Sequence, residues 1–108
     1  MPSYIAQVML QDVTNEEIYS ELDKAMLNED GYSYITGPND KIYALLPDMY
    51  EFDIEDTSAE EILKVVKLIC AQLEKKHNLK KTPILVFEIN DAQFANLEEL
   101  TDADFESH

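Results

Sequence analysis

Apolar and polar positions change period several times along this chain, and each change marks an element. From Tyr4 to Gln11 they alternate, with Tyr4, Ala6, Val8 and Leu10 on one face and Ile5, Gln7, Met9 and Gln11 on the other. That alternation predicts a strand covered by a core on one side. Thr14-Asn15-Glu16-Glu17 fits a capping box, in which Thr14 accepts from the third helical amide and Glu17 reaches back. Ile18, Leu22, Ala25 and Met26 then form one apolar stripe, which predicts an amphipathic helix of about four turns. Gly31 is expected to close that helix in the left-handed conformation.

Tyr32 to Thr36 and Lys41 to Leu46 are two β-prone runs around Gly37-Pro38-Asn39-Asp40, a hairpin pattern. Pro47 ends the second run, having no N–H for a ladder. Asp48 to Asp56, DMYEFDIED, alternates acids with apolar residues and reads as an exposed edge strand or an extended loop. Thr57 with Glu60, or Ser58 with Glu61, can cap a second helix whose apolar face is Ile62, Val65, Val66, Ile69, Cys70 and Leu73. Lys75, Lys76 and His77 suit its negative carboxyl end, and Asn78 is a plausible left-handed stop. Pro83 blocks continuation into Ile84 to Ile89, an apolar run expected to be a strand buried on both sides. Asn90-Asp91 can cap a short C-terminal helix through Phe94, Leu97 and Leu100.

The order is strand, helix, strand, strand, helix, strand, so the expected class is α+β with ferredoxin-like βαββαβ topology. Two helices would cover one face of an antiparallel sheet whose first and fourth strands are central. Residues 1–100 are expected to form one domain and residues 101–108 an acidic flexible tail. The sheet face away from the helices would carry Gln7, Met9, Gln11, Tyr43, Leu45, Leu85 and Phe87. A partly apolar face of that kind suits a homodimer or a ligand.

Charge changes the picture of partners more than of fold. Acids number 23 against 8 lysines and no arginine, for a formal net charge of −15. Broad DNA binding is excluded, because such affinity rests on cations that displace condensed counterions. The single cysteine, Cys70, allows no internal disulfide and lies on the apolar side of the second helix. No secretory or membrane-spanning pattern occurs, which leads to the expectation of a cytoplasmic protein with no membrane contact. No cofactor is predicted.

Three groups of residues carry candidate chemistry. Asp12, directly after the first strand, stands where a carboxylate could hold a metal or take a proton, or is simply a turn acid; no metal site is assigned. Asp48, Glu51, Asp53, Glu55 and Asp56, with Tyr50 and Phe52 between them, make an anionic strip that either prevents edge pairing or docks on a basic protein, rings anchoring and acids steering. Lys64, Lys67, Lys75, Lys76, Lys80 and Lys81 concentrate positive charge on the second helix and the loop after it. They are solvated or helix-dipole partners, or a local patch for the phosphates of a specific RNA. His77 beside them is a surface histidine or a general acid–base group.

The first-strand pattern YIAQVML, the segment SAEEILKVVKLICAQL and the last strand running into EINDAQF resemble the GhoS-like antitoxins of type V toxin–antitoxin systems, over roughly Tyr4 to Ala95. The resemblance implies a ferredoxin-like fold and an RNA-directed antitoxin, acting as an endoribonuclease on a toxin's message. It assigns no catalytic residue. The alternative expectation is a non-catalytic acidic module occupying a basic partner surface.

Overall fold

The computed structural model describes residues 3–37, 39–90 and 93–101. Its elements run β1 (Ser3–Val8), α1 (Glu16–Asn28), β2 (Gly31–Tyr32), β3 (Tyr34–Thr36), β4 (Ile42–Ala44), β5 (Met49–Phe52), α2 (Ala59–His77), β6 (Ile84–Ile89) and β7 (Glu99–Leu100). The architecture is α+β, with two helices and two antiparallel sheets. Among the described residues there are seven strands, three more than the expected βαββαβ order contains. The expected acidic tail beyond Thr101 lies outside the described residues.

The larger sheet has the order β2-β5-β1-β6. Its period-2 pleat sorts side chains onto two faces. Tyr4, Ala6 and Val8 of β1 join Tyr50 and Phe52 of β5 in one cluster with Ile18, Leu22 and Met26 of α1 and Ile62, Val66, Ile69, Cys70 and Leu73 of α2. Both helices therefore cover the same face. Ile84 and Val86 of β6 pack against that cluster from the side. On the other face, the register aligns Phe87, Ile5 and Glu51 in one row and Leu85, Gln7 and Met49 in the next. This face keeps Leu85 and Phe87 exposed. It does not include Tyr43, which lies in the smaller sheet.

Three strand positions differ from expectation. The segment around 48–56 is neither an edge strand nor a loop over its apolar part, because β5 lies between β2 and β1. The apolar residues Tyr50 and Phe52 alternate inward, and their burial outweighs the cost of placing the intervening Glu51 half-buried on the opposite face. β6, expected at the centre, is an edge strand paired only with β1, and Leu85 and Phe87 face outward. In place of a C-terminal helix, Glu99–Leu100 forms β7 against β4, and the Phe94 ring lies tilted against Tyr43, with centroids 5.1 Å apart. Asp91, half of the expected cap, lies outside the described residues.

The expected hairpin forms as β3 and β4, but its first run divides at Ser33. Gly31–Tyr32 stays in the main sheet with β5, and Tyr34–Thr36 turns into the smaller one. The return to the main sheet uses a turn in which the Met49 N–H donates to the Leu46 carbonyl at 3.2 Å. Pro47 presets its second position, and Asp48 takes the left-handed third position at φ 69°.

Helix ends follow local side-chain chemistry. Asn15 rather than Thr14 caps α1, its Oδ1 accepting from the Glu17 N–H at 2.9 Å. Ser58 caps α2 by accepting from the Glu61 N–H at 3.2 Å, and Asn78 ends it at φ 55°. Gly31 is not the left-handed stop for α1; Asp30 takes that role at φ 64°. Gly31 is needed for another reason. It stands directly opposite Phe52 in the ladder, and a Cβ there would meet the ring at 2.5 Å. No described helix is long and apolar enough to cross a membrane.

This contact makes a direct prediction. Gly31→Ala should destabilise the protein by about 1–3 kcal/mol in urea unfolding, the usual range for overpacking. Phe52→Leu should relieve part of the added cost when the two changes are combined. Strict additivity of the two changes would refute the contact.

Candidate functional site

The ends of the sheet differ in charge because the helix ends there differ in sequence. At one end α1 stops at Asn28 and is followed by Glu29 and Asp30, with no base in its last turn. Beside it β5 leads into Asp53, Glu55 and Asp56, and α2 opens with Glu60 and Glu61. All seven acids are exposed. Glu60 and Glu61 suit the positive end of α2, whereas Glu29 and Asp30 sit against the negative end of α1, where helix electrostatics favours cations.

A shallow cleft of about 320 Å³ opens at this end. The half-buried Ile54 and Val65 supply its apolar wall, over the buried Phe52 and Ile62, while Glu29 and Glu61 stand at its polar side along with Lys64. The anionic strip expected around 48–56 is therefore rearranged. Tyr50 and Phe52 are 4% and 0% exposed, so they are core residues and cannot anchor a partner. Asp53, Glu55 and Asp56 stay exposed, Glu51 is half-buried on the open sheet face, and Asp48 lies in a separate cleft.

At the opposite end, the last turn of α2 and the loop after it carry Lys75, Lys76, Lys80 and Lys81. Lys76 and His77 both engage Glu21 of α1, each at 3.1 Å. The His77 ring and then the Lys76 ammonium hold the Glu21 carboxyl below its ordinary pKa. Lys80 pairs with Asp12 at 2.7 Å, both exposed. Asp12 is thus a left-handed loop acid at φ 56° engaged by a lysine, and no group of three or more metal-ligating side chains occurs among the described residues. Lys64, Lys67, Lys75 and Lys81 form no ion pair among the described residues. Cys70 is 1% exposed, and burial, with the Glu74 charge second, pushes its thiol up to about 11.

Sequence reasoning missed a third locus. Tyr50, reaching out from the core, donates its hydroxyl to Asp23 Oδ1 at 2.5 Å. Asp48 joins them in lining a cleft of about 330 Å³ that Tyr19 and Leu45 also border. Burial, then the charge of Asp23, raises the Asp48 carboxyl. Burial, then Asp23, raises the Tyr50 hydroxyl. Asp23 lies on the polar face of a helix far from Tyr50 in sequence, and nothing in the local pattern joins them. Glu29 was likewise hidden, since only the pairing of β2 with β5 brings the end of α1 beside Asp53.

The chain matches no protein-family model, and no curated protein shows significant similarity to it.

The titrations carry opposite signs. Glu21, lowered when folded, contributes stability above its unfolded pKa that is lost as pH falls through its folded value. Asp48, raised when folded, binds its proton more tightly in the native state, so it opposes folding once pH exceeds its unfolded pKa. Asp48→Asn should therefore raise the thermal midpoint at pH 7, with the gain fading as the pH enters the carboxyl range. Asparagine also tolerates the left-handed turn position. A lower midpoint at neutral pH would contradict this assignment.

Proposed function

We propose that this chain is a non-catalytic acidic module that docks on a basic protein surface through the end of the sheet where α1 stops and α2 begins. One observation carries the reading: Glu29 and Asp30 stand at the negative end of α1, beside the exposed Asp53, Glu55, Asp56, Glu60 and Glu61. Like charges gathered against a helix dipole cost stability in the free protein. A cationic partner relieves that cost on binding and is steered to the site by the field. The cleft beside Glu29 and Glu61 fits the same chemistry, its apolar walls receiving the methylene stem of a lysine or arginine. The reading is of a cytoplasmic protein whose anchors are the partner's side chains.

A second reading keeps the GhoS-like resemblance. The neighbour order β2-β5-β1-β6 supports it, since β1, α1, β2, β5, α2 and β6 then follow the ferredoxin-like plan with β3 and β4 inserted. In this reading the lysines without ion pairs, Lys64, Lys67, Lys75 and Lys81, contact the phosphates of a specific RNA. The pairing of Lys76 and Lys80 with Glu21 and Asp12 weakens it, because those cations are already engaged.

Affinity capture from native lysate at two salt concentrations separates the two. Changing Glu29, Asp53, Glu55 and Asp56 to their amides should reduce capture of a basic protein about tenfold or more and flatten its salt dependence. Changing Lys75 and Lys81 to glutamine should leave that capture intact. If the amide variant captures the same protein as well as the native chain, the module reading fails. RNA recovered only when the lysines are present would favour the second reading.

A further inference from the structure

We infer that the outer edge of β6 is an interface at which the chain pairs with a second copy of itself, strand against strand and antiparallel. Edge strands present unpaired N–H and C=O groups, and proteins often blunt them by keeping them very short. The other strands with a free edge follow that rule, since β2, β3 and β7 are two, three and two residues long. β6 departs from it. It is six residues long, pairs only with β1 among the described residues, and carries one charge, Glu88, with no proline or lysine.

The register shows which groups are open. The Met9 N–H donates to the Pro83 carbonyl at 3.1 Å, in the register that places Gln7 opposite Leu85 and Ile5 opposite Phe87. Hydrogen-bonded and non-bonded pairs alternate along an antiparallel ladder. Leu85, Phe87 and Ile89 are therefore bonded to β1, and the N–H and C=O groups of Ile84, Val86 and Glu88 point away from it. They meet no partner among the described residues. The open stretch stops at Thr82, whose N–H donates to Glu74 Oε2 at 3.0 Å. Its centre is Val86. A twofold axis there engages every open group, Ile84 with Glu88 of the second copy and Val86 with its own counterpart.

The same register suits the side chains. On the open face it sets the exposed Leu85 beside Phe87 of the second copy, and the reverse. On the helix side, Glu88 comes opposite Ile84 of the second copy, next to the groove that Lys67 and Lys81 border. The acid of each strand thus meets the basic side of the other. The two Glu88 carboxylates stand about 13 Å apart along the seam, beyond the screening length of about 8 Å at physiological salt. The homodimer expected from the open face is thereby joined at its edge. A seam this short is small for a specific interface, so monomer and dimer exchange with concentration.

Sedimentation velocity of the full chain from micromolar to submillimolar concentration, with hydrogen exchange at both limits, tests this. The chain should pass from monomer to dimer. The amides of Ile84, Val86 and Glu88, fast in the monomer, should slow about tenfold once the protomer is about tenfold above its dissociation constant, while those of Leu85 and Phe87 change little. Leu85→Lys and Glu88→Lys, both at positions exposed in the monomer, should each weaken association about tenfold or more without lowering the thermal midpoint of the dilute protein. Glu88→Lys is the sharper variant, because it lessens repulsion between two chains of net charge −15 and would strengthen any association limited by overall charge. A chain that stays monomeric at the highest concentration would overturn the interface. So would a dimer that both variants form as readily as the native chain, or one that leaves the three amides unprotected.

Discussion

The ring of Phe52 lies across Gly31, in direct register between β5 and β2. With a side chain at position 31, the ring would have to leave the core or β2 would have to leave the sheet. Because the ring stays, β5 takes an interior place between β2 and β1, and Tyr50 follows it inward two residues earlier. α1 and α2 then close over the same face through Leu22, Met26, Ile62 and Val66. The excursion through β3 and β4 has to leave and rejoin the sheet on either side of this contact, which it does at Ser33 and at the Pro47-Asp48 turn.

Much of the anionic character is structural before it is functional. The chain has only two glycines, and neither has a positive φ. Every positive-φ residue described is an aspartate or asparagine: Asp12, Asp30, Asp40, Asp48, Asp56, Asn78 and Asn96. These side chains tolerate the left-handed region better than other non-glycine residues. Five aspartates are thereby accounted for by turn geometry. Glu60 and Glu61 are accounted for by the start of α2, and Glu21 by its contact with His77 and Lys76. Glu29, Asp53 and Glu55 have no such role in the fold. These three lie together at one end of the sheet, which makes that end the better candidate for recognition.

Both helices, their inward faces and the Asn78 stop were legible in the sequence because 3.6-residue periodicity and capping act within a few residues. The hairpin and the inward face of β1 were legible for the same reason. Strand order was harder. Acids flanking Tyr50 and Phe52 resemble an edge strand, and only long-range pairing decides that the rings go inside. The apolar run of β6 resembles a central strand, yet among the described residues it pairs only with β1, and Leu85 and Phe87 are exposed. Of the candidate residues, Asp53, Glu55 and Asp56 were legible as an exposed acidic group. Glu29 and Asp23 depend on elements distant in sequence coming together.

Hydrogen exchange resolved to single amides in β5 tests the central claim most directly. With β5 interior, the amides of Tyr50, Glu51 and Phe52 should be as strongly protected as those of Ile5 and Ala6 in β1 and should open only with global unfolding. The edge strand β6 should show weaker protection at the amides that face away from β1. Fast exchange across Tyr50 to Phe52, with slow exchange throughout β6, would contradict the account by returning the acidic segment to the edge.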